Sequence, residues 1–174
     1  MESVLPRAEA AADAKAGGGS LPEIYGRHAD TLYRLCFSLT GNRADAEDAV
    51  SSAFVRLMES GKTFSEAEHE KAWLIVTACN CCRDLHRQWW RKKVVPLDFQ
   101  AEAAAAGTEK DGELTACLMK LPAKYRELLY LHYYEGYKLA EIAAMLGLNL
   151  NTVKTRIRSA KKQLKMEMED DFDE

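Results

Sequence analysis

The stretch from Tyr137 to Lys165, YKLAEIAAMLGLNLNTVKTRIRSAKKQLK, constrains this chain more than any other part of it. Ala140, Ile142, Ala143 and Leu146 recur at helical spacing and predict a short helix with a small residue at its crossing point. Gly147 supplies a turn. Asn149 or Asn151 can then cap a second helix through its side-chain oxygen. The buried stripe of that helix is Val153, Ile157, Ala160 and Leu164. Two helices around such a turn make a helix-turn-helix, whose second helix can enter a DNA major groove. Asn151, Thr152, Lys154 and Thr155 are left exposed near its start, followed by Arg156, Arg158, Lys161 and Lys162. Arginine suits guanine edges, asparagine suits adenine, and either basic side chain suits phosphate. A plain helical hairpin with a basic surface is the alternative. The turn spacing, capping residue, paired apolar stripes and basic face together disfavour it.

The net charge of -3 argues weakly against nucleic acid, but its distribution argues the other way. Between residues 149 and 165 every charged side chain is basic, and acids then crowd residues 167–174. DNA responds to the local field, because charges beyond a screening length of roughly 10 Å count for little. The acidic run can discourage DNA binding by the free protein.

The chain reads as all-α, with two small helical domains joined by a flexible linker, the second carrying the helix-turn-helix. None of the four prolines interrupts a long periodic stretch. Residues 1–20, rich in Ala and Gly, read as a disordered segment. Residues 21–93 form a first domain, 94–112 the linker, 113–166 the second domain and 167–174 an acidic tail.

In the first domain, Ile24, Leu32, Leu35, Cys36 and Leu39 share a helical face, and Gly41-Asn42 ends that helix. A second helix spans about residues 44–58. Its stripe is Ala46, Ala49, Val50, Ala53, Phe54 and Leu57, and Asp45, Glu47 and Asp48 favour the positive end of its dipole. Residues 62–69 read as a loop. A third helix from near Glu70 turns Leu74, Ala78, Cys81 and Leu85 inward. Trp73, Thr77, Asn80, Asp84 and Arg87 follow a neighbouring face, and Arg83, Arg87, Arg91, Lys92 and Lys93 make its later turns basic. Such a strip suits single-stranded DNA, with basic groups on phosphates and exposed bases stacked or hydrogen-bonded. A solvated amphipathic helix is the competing reading.

The sequence offers little for catalysis. Its four histidines have no partner motif, and Gly17-Gly18-Gly19 lacks the Lys-Ser/Thr of a phosphate loop. No catalytic residue, cofactor or metal is expected. Cys79, Cys81 and Cys82, with His86 nearby, invite a metal or redox reading. Successive helical positions diverge where a thiolate site needs convergence. Small buried hydrophobes are the better account, although Arg83 could lower the pKa of Cys79 or Cys82. The odd count of five cysteines does not suggest a disulfide framework. No apolar run reaches the roughly 20 residues that span a bilayer, and the N-terminus lacks a signal-peptide core. A cytoplasmic protein without membrane insertion is expected.

Taken together, these motifs resemble the sigma-70 superfamily of RNA polymerase sigma factors, specifically the extracytoplasmic-function (ECF) type built from regions 2 and 4. DAEDAVSSAF at 45–54 is similar to the family's region 2.2, which in relatives binds core polymerase. The resemblance implies that Asp45, Glu47, Asp48 and Phe54 form or support a core-binding surface. KAWLIVTACNCCRDLHR at 71–87 is similar to the region that handles the non-template strand of the -10 element. That implies -10 contacts from Trp73, Asn80, Arg83 and Arg87. Residues 121–164 are similar to region 4, implying -35 contacts from Asn151, Thr152, Lys154, Thr155, Arg156, Arg158, Lys161 and Lys162. The implied partners are core RNA polymerase, promoter DNA and an anti-sigma factor. Ser51, Asn151 and Ser159 stand where the family commonly has Gln, Gly and Arg. Two other classes remain open at this point: an autonomous helix-turn-helix regulator, and an interaction module that titrates another regulator.

Overall fold

The computed structural model describes residues 19–92 and 109–172, with side chains omitted for 109–113 and 170–172. The N-terminal segment and most of the linker lie outside these residues. All regular structure in the described residues is helical. The elements are α1 (Leu21–Thr40), α2 (Arg43–Ser60), α3 (Ala67–Lys92), α4 (Glu109–Lys120), α5 (Ala123–Leu129), α6 (Leu139–Leu146) and α7 (Leu150–Phe172).

Local chemistry sets these boundaries. The Ser20 N–H donates to Glu23 Oε2 at 2.8 Å at the start of α1. Gly41, at φ 76°, ends the helix in the left-handed conformation and donates its N–H to the Phe37 carbonyl. Asn42 caps α2 by accepting the Asp45 N–H at 2.9 Å. Ala46, Ala49 and Ala53 are fully buried, so α1 and α3 approach α2 closely. Leu32, Leu35, Leu74 and Ile75 fill the space between, each contributing about 1.5–3 kcal/mol by burial.

The third helix begins at Ala67, slightly earlier than the apolar periodicity predicts. Its first turns are fixed by a polar contact that the sequence pattern does not announce. Glu70 is fully buried; its Oε1 lies 2.7 Å from His28 Nε2 and accepts Arg27 Nη2 at 2.9 Å. The pair ties the start of α3 to α1.

In the second module, α5 does not run unbroken to Gly136. It widens into a π-helical turn at Tyr130–Tyr134, where the Glu135 N–H reaches back to the Tyr130 carbonyl at 3.1 Å. The extra residue stacks Tyr130 on Tyr134 at 4.7 Å and puts His132 Nδ1 2.7 Å from the Tyr137 carbonyl. Helix α7 continues through most of the acidic run, to Phe172. There Glu167 pairs with Lys120 of α4 at 3.4 Å, and Glu169 with Lys165 at 3.6 Å. The apolar cores of the two modules are continuous, with α5 packed on α1.

Candidate polymerase and nucleic-acid interfaces

Three helical surfaces carry the residues singled out in the sequence. On α2, the alanine stripe buries one side and leaves Asp48, Ser52, Val55 and Glu59 in a row on the other. Val55 and the adjacent Met58 are about half exposed or more, at 49% and 60%. An acid-led face with large exposed apolar side chains is a docking surface in composition. Glu47 lies at its edge, paired with Arg43 at 2.9 Å, and Asp45 is bound to Asn42 at the helix start. Phe54 points inward instead. It is buried and meets the Tyr25 ring at 4.8 Å.

On α3, Trp73 is half-buried between Phe64, 5.9 Å away, and Lys62, whose ammonium lies 5.5 Å from the ring centre. Asn80 is exposed, and its Oδ1 accepts Arg83 Nη1 at 2.7 Å. Arg83 leaves this face sideways and pairs with Glu127 of α5 at 2.5 Å. Arg87 turns toward α2. It meets Asp84 at 3.3 Å, and Asp84 also holds Arg56 of α2 at 3.0 Å. Arg56, Arg87 and Arg91 line a cleft of about 310 Å³ between the two helices. Glu66 and His69, 3.6 Å apart, and Glu68 stay at the solvent-facing start of α3.

The helix-turn-helix consists of α6, a turn at Gly147 and α7. Gly147 has φ 65°, and the following Leu148 N–H returns to the Ala143 carbonyl at 2.9 Å. A residue with a Cβ would be strained at that φ, so the glycine defines the angle between helices. Asn149 is the cap: its Oδ1 accepts the Asn151 N–H at 2.8 Å. Asn151 itself is left exposed. Val153, Ile157 and Ala160 are buried, which turns Asn151, Thr155, Arg158 and Lys162 outward in one stripe. Lys154 flanks that stripe on one side, and the half-buried Thr152 and Arg156 on the other. Lys161 stands apart, with its ammonium 5.1 Å from the ring centre of Tyr133.

Comparison with known proteins agrees with this arrangement. A Sigma-70 region 2 model matches residues 24–92, and a Sigma-70, region 4 model matches residues 111–164. The chain is 33% identical over 145 residues to RNA polymerase sigma factor SigV of Bacillus subtilis, covering 81% of this chain and 86% of the relative. It is 30% identical over 171 residues to ECF RNA polymerase sigma factor SigW of the same organism, covering 85% and 88%. The chain belongs to the ECF group of sigma-70 family RNA polymerase sigma factors. It therefore directs RNA polymerase to promoters and is not itself an enzyme. Two solved structures share the fold. One is the sigma factor RpoE in complex with the anti-sigma factor NepR from Bartonella quintana, with TM-score 0.73, 22% identity and coverage of 85% of this chain and 96% of that one. The other is CnrH in complex with the cytosolic domain of CnrY, with TM-score 0.61, 25% identity and coverage of 87% and 88%.

Several features of this sigma factor were hidden in the sequence. Val55 and Met58 escape notice because they interrupt no pattern; they become visible only when the alanine stripe faces inward. No periodic pattern or motif in the sequence singles out Arg126. It is largely buried, donating to the carbonyls of Met119, Leu121 and, across the module boundary, Leu39 at 2.7–3.0 Å. These carbonyls lie at or near the C-terminal ends of α4 and α1, where helix dipoles favour a cation. Burial still pulls the Arg126 pKa down to about 10. The Trp89–Trp90 pair divides: Trp89 meets His86 edge-on at 5.2 Å, while Trp90 is exposed.

All five cysteines are buried. Arg83 does not activate them. Burial pushes the Cys79 thiol up, the Glu127 carboxylate adds to this, and the guanidinium only partly offsets both. Cys82 is raised chiefly by a hydrogen bond with Cys36 and then by burial. Burial also raises Cys81. Scarce thiolate and no access mean slow chemistry. The native sigma factor is expected to react with fewer than ~1 equivalent of an aromatic disulfide reagent within minutes at pH 8, and with all five cysteines once unfolded. A fast-reacting native thiol would contradict this packing. Among the described residues, no group of three His, Cys, Asp or Glu side chains could hold a metal ion, and no helix is long and apolar enough to cross a membrane.

Proposed function

We propose that this sigma factor divides its work among the three surfaces described above. The exposed face of α2 binds core polymerase through Asp48, Val55 and Met58, with Asp45 and Glu47 at its edge and Phe54 supporting it from inside. Helix α3 engages the non-template strand of the -10 element. Trp73 and Asn80 face the bases, while Arg83 and Arg87 serve phosphates. The outward stripe of α7, Asn151, Thr155, Arg158 and Lys162, enters the -35 major groove. Thr152, Lys154 and Arg156 flank it, and Lys161 contributes from the edge. The domains run from 21 to 93 and from 113 to 166, with 94–112 spanning the distance between sites and 1–20 and 167–174 outside them.

The observation that carries this reading is the coexistence of two opposite surfaces on separate modules. One is an exposed acid-led apolar helix face, and the other is an exposed basic stripe on a capped recognition helix. An autonomous helix-turn-helix regulator needs only the second. The protein works with the polymerase in the cytoplasm. An anti-sigma partner is part of the proposal, on the strength of the RpoE–NepR complex.

Transcription with purified core polymerase and a promoter library tests this. The wild type is expected to initiate at promoters carrying both elements. Val55→Glu is expected to reduce capture of core polymerase at least tenfold, because it puts a charge into a contact that must lose water. Folded protein that binds duplex DNA yet never initiates would favour the autonomous regulator.

A further inference from the structure

A groove of about 810 Å³ lies where α1, α4, α5, the π-helical turn and α7 meet. Its size falls in the range of about 300–1,000 Å³ that small-molecule sites occupy. Fourteen residues line it, fewer than the roughly 20–30 that a stable protein interface engages on each side. The wall is mostly apolar, built from Phe37 of α1, Leu114, Leu118 and Met119 of α4, Leu129 of α5 and Leu164 of α7. Leu114, Tyr133 and Tyr134 remain 43%, 57% and 58% exposed, and they mark its open side. The charged lining is of one sign. Arg34, Arg126 and Lys161 contribute to it, and no Asp or Glu does. Among the described residues no carboxylate pairs with these three cations. Arg34 donates to the Tyr134 hydroxyl at 2.8 Å, Arg126 donates to carbonyls alone, and the Lys161 ammonium lies 5.1 Å from the ring centre of Tyr133.

We propose that this groove binds a free amphipathic carboxylate, one aliphatic tail ending in a single anionic head. An apolar wall beside cations of one sign focuses the field on an entering anion and disfavours an entering cation. Arg34 and Lys161 are both exposed and stand with Tyr134 and Tyr133 at the open side, so the carboxylate docks there. The tail runs inward along Leu118, Met119 and Leu164, where its methylenes leave water. Arg126 is already bonded to three carbonyls, so it contributes its charge and not a new hydrogen bond. The site lies apart from the polymerase and DNA surfaces proposed above, except at Lys161, which borders both.

The test titrates dodecanoate calorimetrically into the full-length protein, well below its micelle-forming concentration. One-to-one binding is expected with Kd on the order of 10 μM, ordinary for a ligand of about 14 heavy atoms. Dodecyltrimethylammonium carries the same tail with the opposite charge, and acetate carries the head without the tail. Each is expected to bind at least about tenfold more weakly. Arg34→Gln combined with Lys161→Gln is expected to erase the preference for dodecanoate over the cationic amphiphile. Helical circular dichroism is expected to stay unchanged, because both side chains are exposed. Leu114→Glu puts a carboxylate on the exposed part of the wall and is expected to weaken dodecanoate about tenfold. Saturating dodecanoate is expected to raise the melting temperature of the wild type more than that of either variant. Uptake that does not saturate, or equal affinity for the cationic amphiphile, overturns the proposal. Binding unchanged in both variants overturns it too, because the ligand then sits elsewhere. Phosphatidylglycerol vesicles are expected to leave the protein in the supernatant on sedimentation. Co-sedimentation that Arg34→Gln abolishes would replace the free carboxylate with a membrane surface. Dimerisation that Leu114→Glu abolishes would mean that a second copy covers the groove, and it overturns the proposal as well.

Discussion

Replacing Arg158 and Lys162 together with alanine is expected to lower promoter-directed transcription by about two orders of magnitude while leaving the melting temperature almost unchanged. Both side chains are exposed on the stripe opposite Val153, Ile157 and Ala160, so their removal costs the core nothing. Surface changes of this kind alter stability by only about 0.5 kcal/mol. In the groove the balance differs. A bidentate arginine–guanine contact is worth about 1–3 kcal/mol, and a phosphate contact adds a salt-dependent share. Losing both approaches ~3 kcal/mol, close to a hundredfold. Binding to a -35 duplex, measured at several salt concentrations, separates the two parts. If both side chains touch phosphate, the slope of log K against log salt becomes shallower by about 2. If only Lys162 does, the slope changes by about 1 and base discrimination weakens at one position. Lys161→Ala is the contrast. Its ammonium stands over Tyr133, so its loss is expected to weaken duplex binding by less than about threefold. Equal losses from Lys161 and Arg158 would mean that the stripe has been assigned to the wrong side of α7.

What the sequence made legible follows from what helical periodicity measures. It reports which side of a helix is apolar, and so it located the stripes of α1, α2, α6 and α7. The glycine turn and asparagine cap located the helix-turn-helix. Periodicity does not report what lies across a polar face. Arg83 looked like one more basic side chain on α3, yet it reaches Glu127, 44 residues away in the chain. No motif joins Glu70 to His28, yet they are buried against each other. The thiols show the same blindness. Arg83 beside Cys79 suggested a lowered pKa, but desolvation, which no local pattern displays, outweighs that single charge. The π-helical turn was illegible for another reason. Its run YLHYY fits an ordinary helix, and the widened turn is stabilised by contacts such as that of His132 with the Tyr137 carbonyl.

Phe54→Ala and Asp48→Ala should fail in different ways, although both residues sit in the segment that resembles a polymerase-binding region. Phe54 is 6% exposed, and its ring meets Tyr25 at 4.8 Å between α1 and α2. Truncating a buried phenylalanine costs about 3–5 kcal/mol, including the cavity left behind. Against a total stability of about 5–15 kcal/mol, that is a large share. The melting temperature is expected to drop by roughly 10 °C or more. Polymerase binding then falls because less of the first module is folded, and it recovers on cooling. Asp48 is exposed on the opposite side of the helix. Its removal sacrifices only a favourable charge early in α2, worth up to about 1 kcal/mol. Any loss of polymerase binding by Asp48→Ala therefore reports the interface itself, and it persists at low temperature. Melting curves paired with polymerase capture at 10 and 30 °C distinguish the two cases. A Phe54→Ala protein that melts like the wild type but no longer binds polymerase would mean that this ring leaves the core to make the contact directly. The inward packing of α2 would then describe the unbound form alone.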